Sequence, residues 1–295
     1  MSGFKGWRAL LIVPFLLLAG AAVAREATIQ VEAVQSPAWV ERGSQRLPLV
    51  AGQFLKNRDR VVTGRDARVL LRLSEGSAVK LGENASLRMD ALGQRQGGVF
   101  TAAFDVAKGA FRFTTGVFNR FQNRRAVNVR IATVTAGIRG TDLWGSSDAE
   151  RDLVCLIEGR ITVTHPEAEP VLMSEPLSFY VAPKGQVPQP VAAVNPDQLG
   201  KWAQETEMQS TAATFRKNGR WQVYLGVVGS EAEALALYDQ VRAAGYPVRI
   251  HPEAAGDGTY QYTLSVPQIV TQEGAEALAA RLRQELGSAT PRPQR

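Results

Sequence analysis

The sequence predicts a mainly β N-terminal half followed by a small α+β unit of β-α-β-β-α order. Three observations carry this. Through roughly the first two-thirds of the chain, short apolar runs are separated by Gly, Asn and Ser turns at close spacing. Between Pro183 and Pro196 four prolines interrupt any regular element. Beyond Gly219, strand-like runs alternate with segments of helical periodicity. At 295 residues with 45% hydrophobic content, the chain is long and apolar enough for two packed domains.

The first region spans residues 28–183. Val69–Leu73, Ala78–Leu81 and Ala85–Met89 read as strands, parted by turns at Glu75-Gly76-Ser77 and Gly82-Glu83-Asn84. The pattern resumes at Gly109–Phe113, through Val127–Val134, and again from Leu153 to Thr164. Phe111, Phe113, Phe118 and Phe121 interleave with Arg112, Arg120, Arg124 and Arg125. Such a mixture can stack on bases or sugars. The simpler expectation puts alternate Phe rings in the core and the arginines in solvent. The single cysteine, Cys155, lies in the run Leu153–Ile157 and is expected to be a small buried hydrophobe.

Residues 1–24 have the order of a secretory leader: basic Lys5 and Arg8, an apolar stretch Ala9–Leu18, and small residues Ala22-Val23-Ala24 before the expected cut. A membrane anchor is the competing reading, but the stretch is shorter than the about 20 apolar residues a spanning helix needs, and Pro14 interrupts it. The expected location is therefore the periplasm, with no stable membrane span after cleavage. Losing the two leader cations lowers the formal net charge from +6 to +4, which identifies no partner. Export also removes nucleic acid from the candidate ligands.

Five segments in order resemble the FecR domain family. They are Val61–Arg68, Glu75-Gly76-Ser77 with Leu81–Asn84, Lys108–Phe111, Ala132–Asp142, and Leu156–Val163. The resemblance implies a periplasmic sensing or scaffolding module that meets an envelope protein. The family's best-known members are sigma-factor regulators with a cytoplasmic segment and a membrane span. Neither is visible in this sequence, so the iron-transport signalling role is not carried over. Within the fourth segment Arg139, Gly140, Thr141 and Asp142 are expected to form a tight turn. Arg139 and Asp142 are either a recognition pair or a structural pair that fixes it.

Residues 184–216 are expected to be a partly helical connector, with Trp202 and Met208 as its large apolar residues before Phe215. The second region spans 217–287. Trp221–Val228 reads as a strand and Ser230 caps a helix Glu231–Ala244 that places Ala234, Leu237, Tyr238 and Val241 on one face. Gly245 stops that helix. Pro247–His251 and Tyr260–Val266 read as strands about a Gly256-Asp257-Gly258 turn. Thr271 caps a second helix carrying Ala275, Leu278, Leu282 and Leu286. Residues 288–295 are expected to be a disordered tail.

This region is similar to SPOR domains, through Trp221–Gly226, Ser230–Ala234, Ala243–Pro247 and Glu273–Leu286. The resemblance implies binding to peptidoglycan glycan strands stripped of their stem peptides, on the sheet face opposite the helices, and hence a role in cell division. Strand alternation then picks the candidates. Val223, Leu225, Tyr262 and Leu264 point at the helices, leaving Gln222, Tyr224, Gln261 and Thr263 outward. Amides, a hydroxyl and an aromatic ring suit a hydroxyl-rich glycan. The sequence departs from the family at Tyr224, at Val227-Val228 and at Ser265–Pro267, and the family's last strand has no evident counterpart.

No catalytic constellation is legible. The two histidines, His165 and His251, fall in different regions, and His251 before Pro252 reads as an exposed turn residue. There is no nucleophile-elbow spacing and no phosphate loop, and no metal or cofactor is expected. Carboxylate pairs meet only in the fold. The expectation is a non-enzymatic binding or scaffold protein, or alternatively an envelope sensor acting on a membrane partner.

Overall fold

The computed structural model describes residues 27–95, 99–116, 125–138, 140–256, 258–287 and 290–295. The expected leader, the residues Phe118, Phe121, Arg120, Arg124 and Arg139, and Asp257 of the second turn lie outside them, as does the side chain of Arg125.

The N-terminal half is built almost wholly of strands, organised as two ladders that share one 16-residue strand, Val99–Thr114. Its first part pairs with Ser86–Arg95 and, in parallel, with Arg125–Ile131. Its last part pairs with Ala78–Leu81 and Asp142–Ser147. The strand passes from one ladder to the other at Gly109, whose φ is +85° and whose hydrogen faces Ala85; a Cβ there would stand 2.5 Å from the Ala85 Cα. Only glycine meets both demands. The buried faces of both ladders, including Val31, Leu71, Phe111 and Val154 with Val61, Leu87, Phe104 and Val129, form one core. The expected run Val127–Val134 is a hairpin rather than one strand, turning at Ala132, which adopts φ +45°.

Most strands alternate buried and accessible positions, but Asp142–Ser147 and Arg151–Glu158 are buried on both faces. Helix α1, Pro196–Thr206, is the reason. It begins at Asn195, whose side chain accepts from the Asp197 N–H at 2.8 Å, with Pro196 in the first turn. Its Trp202 ring stacks on Trp144 at 5.0 Å between centroids and meets Phe179 edge-on. Cys155 lies beneath in the same cluster, fully buried, and that burial pushes its thiol up to about 12. The close approach of α1 needs Gly82, since a Cβ there would stand 2.7 Å from the Glu205 carbonyl oxygen.

The connector is therefore helical and docked over Pro196–Thr206, and the residues after that helix are hydrogen-bonded to both halves. Phe215 exchanges backbone hydrogen bonds with Val34 of the first strand at 3.1 and 2.8 Å. It also bridges to Ile269 at the end of the last long strand. Gln35, 1% exposed, donates to the Gln209 carbonyl and the Thr214 hydroxyl and accepts from the Gln209 N–H. Nearby, Arg216 pairs with Glu32 at 3.0 Å.

The C-terminal unit is a four-stranded antiparallel sheet in the order Arg249–Ala254, Tyr260–Ile269, Trp221–Val228, Arg292–Gln294. Helices α2 (Glu231–Ala243) and α3 (Gln272–Leu286) cover one face. Ser230 and Thr271 cap them by accepting from the N–H groups of Glu233 and Gly274. Gly245 ends α2 with φ +88° and lies against Trp39 of the first half; its carbonyl accepts from the Ala38 N–H at 3.4 Å. Residues 292–294 correct the expectation of a disordered tail and a missing last strand: they form an edge strand paired with Gln222–Tyr224. Proline is tolerated there because an edge strand needs no donor on its outer side.

Candidate glycan-binding face

The helix-free side of the C-terminal sheet is built by strand alternation. Val223 and Leu225 are buried beneath the helices, as are Leu264 and Val266, and Tyr262 packs against the same core. The intervening residues therefore face away from them. A bulge between Tyr224 and Gly226 keeps Leu225 inward and then sets Val227 opposite Thr263. The resulting concavity has a volume of about 370 Å³ and contains Gln222, Tyr224 and Thr263 of the expected set. Gln261 lies farther along the same strand, exposed and paired with Glu253, and does not line it.

Five polar residues outside the expected set complete the face: Arg249, His251, Glu253, Ser265 and Gln294. Arg249 and His251 alternate with Ile250, which packs inward, so the strand period alone could have supplied them. His251 stands within the strand rather than in a turn, with its Nε2 3.8 Å from the Glu253 carboxylate. Gln294 was hidden in the proline-rich tail; it lies directly opposite Gln222, giving two adjacent amides. Arg292 stands opposite Tyr224 and places its guanidinium 4.6 Å from the ring centroid. The Tyr224 ring thus has one side engaged in a cation–π contact with Arg292.

The turn residues of the first half occupy a different place. Gly140 takes φ +64° and Thr141 is buried, its N–H donating to the Thr115 hydroxyl at 3.1 Å. Asp142 is held by Arg112 through two hydrogen bonds of 2.9 and 2.7 Å. Arg112 is thus not the solvent-facing residue that alternation suggested. Its hydrogen bond to Asp142 outweighs burial and raises its pKa further. Arg112 also reaches Glu207, just past the end of α1, at 3.3 Å, and Lys80 binds the same carboxylate. The motif's acidic residue is therefore a structural anchor that ties the turn to the connector. Phe111 and Phe113 are fully buried, as expected.

Among the described residues there is no group of three or more His, Cys, Asp or Glu side chains positioned for a metal ion. No helix among them is long and apolar enough to cross a membrane.

Two family models match. The FecR protein model matches residues 59–162 and the SPOR domain model matches residues 217–292, a span that includes the first residue of the edge strand. No curated protein matches the chain. Among solved structures, two crystal structures at 1.65 and 2.50 Å, of a protein from Parabacteroides distasonis ATCC 8503 provisionally described as an anti-sigma factor, align at 12% identity and a TM-score of 0.40. They cover 77% of this chain and 92% and 91% of the respective solved chains. The chain is thus a two-module protein, with a FecR-domain region over residues 59–162 and a SPOR-domain region over residues 217–292.

Proposed function

We propose that this is a non-enzymatic periplasmic protein that is held at peptidoglycan by the helix-free face of its SPOR domain and engages an envelope protein through its FecR domain. Both domain types are binding modules rather than catalysts. The observation that carries the wall-binding part is the open sheet face itself. It is polar, it carries Gln222, Gln294, Thr263 and Ser265 for sugar hydroxyls, and the tail strand extends it instead of plugging it. Amide and hydroxyl groups on a rigid strand supply oriented hydrogen bonds to sugar hydroxyls.

One observation favours a sensor role for the same protein. The FecR turn, through Asp142 and Arg112, is joined to Glu207 of the connector, and the connector is bonded to the SPOR sheet at Phe215 and Ile269. A load or ligand on the wall-binding face is thereby passed to the FecR domain, which meets a membrane partner.

Sedimentation of the purified full chain with sacculi, before and after amidase treatment that strips stem peptides, tests the wall-binding part. Retention is expected to rise on denuded sacculi and to fall at least fivefold for Gln222→Ala/Thr263→Ala, whose side chains bear no core load. Equal retention of the double variant removes the basis for the proposed face.

A further inference from the structure

The sheet face does not end at the SPOR domain. Arg249 and Pro267, at the end of the face nearest the first half, also line a second cleft of about 240 Å³ that lies between the two domains. The other walls of this cleft come from α2, through Tyr238 and Arg242, and from the FecR half, through Leu47, Pro48, Val50 and Gln53. The two concavities are thus neighbours that share a wall. Their relative position is fixed, because the backbone of Phe215 is bonded on one side to Val34 and bridges on the other to Ile269, while the Ala38 N–H donates to the Gly245 carbonyl.

The cleft is electrostatically one-sided. No Asp or Glu lines it, and neither Arg242 nor Arg249 forms an ion pair with a carboxylate among the described residues, although Arg242 stacks on the Tyr238 ring at 5.0 Å. The acidic residue of the open face, Glu253, lies at its other end, four residue pairs along the ladder from Arg249. An anionic group on a bound glycan is therefore drawn to the end of the face that meets the FecR half. Denuded wall glycan carries such a group. Hydrolysis of the amide that joins the stem peptide to the sugar's lactyl arm leaves a carboxylate on the sugar, and a glycan still bearing its peptide presents an amide there instead.

We propose that the glycan site is composite: a strand on the helix-free face continues into the inter-domain cleft, where Arg242 and Arg249 receive the lactyl carboxylate and Gln53 of the FecR half forms the facing wall. This rests on the wall-glycan reading above and deepens it. It makes the two arginines the residues that tell stripped glycan from neutral glycan, and it gives the N-terminal half, through the segment just ahead of its FecR region, a direct part in wall recognition.

Calorimetric titration of the full chain with two probes separates the possibilities: a lactyl-bearing denuded glycan tetrasaccharide and a chito-oligosaccharide of the same length, which lacks the lactyl arm. The wild-type chain is expected to bind the denuded probe about tenfold tighter, with a preference that weakens as salt rises. Arg242→Ala/Arg249→Ala should bring the two affinities within about twofold by weakening the denuded probe more than the neutral one. Gln53→Glu keeps an acceptor for the Val50 N–H and adds a negative charge to the cleft. It should weaken the denuded probe more than the neutral one, through repulsion of the carboxylate. Equal wild-type affinity for both probes, or a preference that survives the double arginine variant, overturns the carboxylate assignment while leaving wall binding intact. An effect of the arginines without an effect of Gln53→Glu overturns the contribution of the FecR half. Failure of the wild-type chain to bind either probe overturns the wall-glycan reading itself.

Discussion

Asp152 illustrates how one buried charge is made tolerable. Its side chain is fully buried where the strand Arg151–Glu158 begins. Burial alone pushes the carboxyl up, but hydrogen bonds from Lys184, Thr133 and Ser147 outweigh it and hold the group below the ordinary carboxylate range. A carboxyl whose folded pKa lies below its unfolded value of about 3.9 stabilises the fold fully above about pH 5, and that contribution is lost as pH falls through the native pKa. Asp152→Asn should therefore cost about 2 kcal/mol at pH 7, with the difference from wild type shrinking towards pH 3. Urea titrations at the two pH values measure it. The Arg112–Asp142 pair works similarly, as a half-buried ion pair whose second role is to reach Glu207.

At the scale of elements, helix α1 is the outer cover of the ladder that contains Asp142–Ser147 and Arg151–Glu158. Without it, Trp144 and Cys155 would face water. Trp202→Ala should lower stability by about 3 kcal/mol, the usual loss for truncating a buried aromatic. It should also expose Cys155 to a thiol reagent that leaves the wild-type protein unlabelled under native conditions. Unchanged labelling would mean that another element shields the thiol. The continuous run Leu153–Ile157 announced burial on both faces, yet nothing in the sequence named the covering partner. The alternation that placed Gln222, Tyr224 and Thr263 on the open face was legible because a strand's period is fixed by backbone geometry. Gln294 and Arg292 were not, because a three-residue strand containing a proline has no periodicity to read and is made by tertiary pairing alone. Arg112 was misplaced for a related reason: alternation gives the side of a sheet, not whether a helix end later covers that side.

At the scale of the whole molecule, the two domains have no free tether between them. Residues 207–216 are hydrogen-bonded to the first half at Val34 and Gln35 and to the second at Gln268 and Ile269. Glycine at position 245 lets Trp39 and Pro37 approach directly. Such continuity of core and hydrogen bonding predicts that the chain unfolds as one cooperative unit. In a denaturant titration, the near-ultraviolet signal of the Trp144–Trp202 stack and the far-ultraviolet helical signal, to which α2 and α3 contribute most residues, should share one midpoint. Two separated midpoints would mean that the domains fold independently and that the cleft between them has no fixed shape. Rigid coupling is also what lets a wall-bound domain orient a partner-binding one.

The most direct measurement is a nuclear magnetic resonance titration of the full chain with a denuded glycan tetrasaccharide, following backbone amides and Gln side-chain NH₂ groups. The expected result is a contiguous set of perturbed signals at Gln222, Thr263, Ser265 and Gln294 on the helix-free face, running towards Arg249 and Gln53, with the exposed surfaces of α2 and α3 silent. Perturbations confined to the helical face or to the FecR domain, or none at saturating glycan, would contradict a sugar-binding sheet.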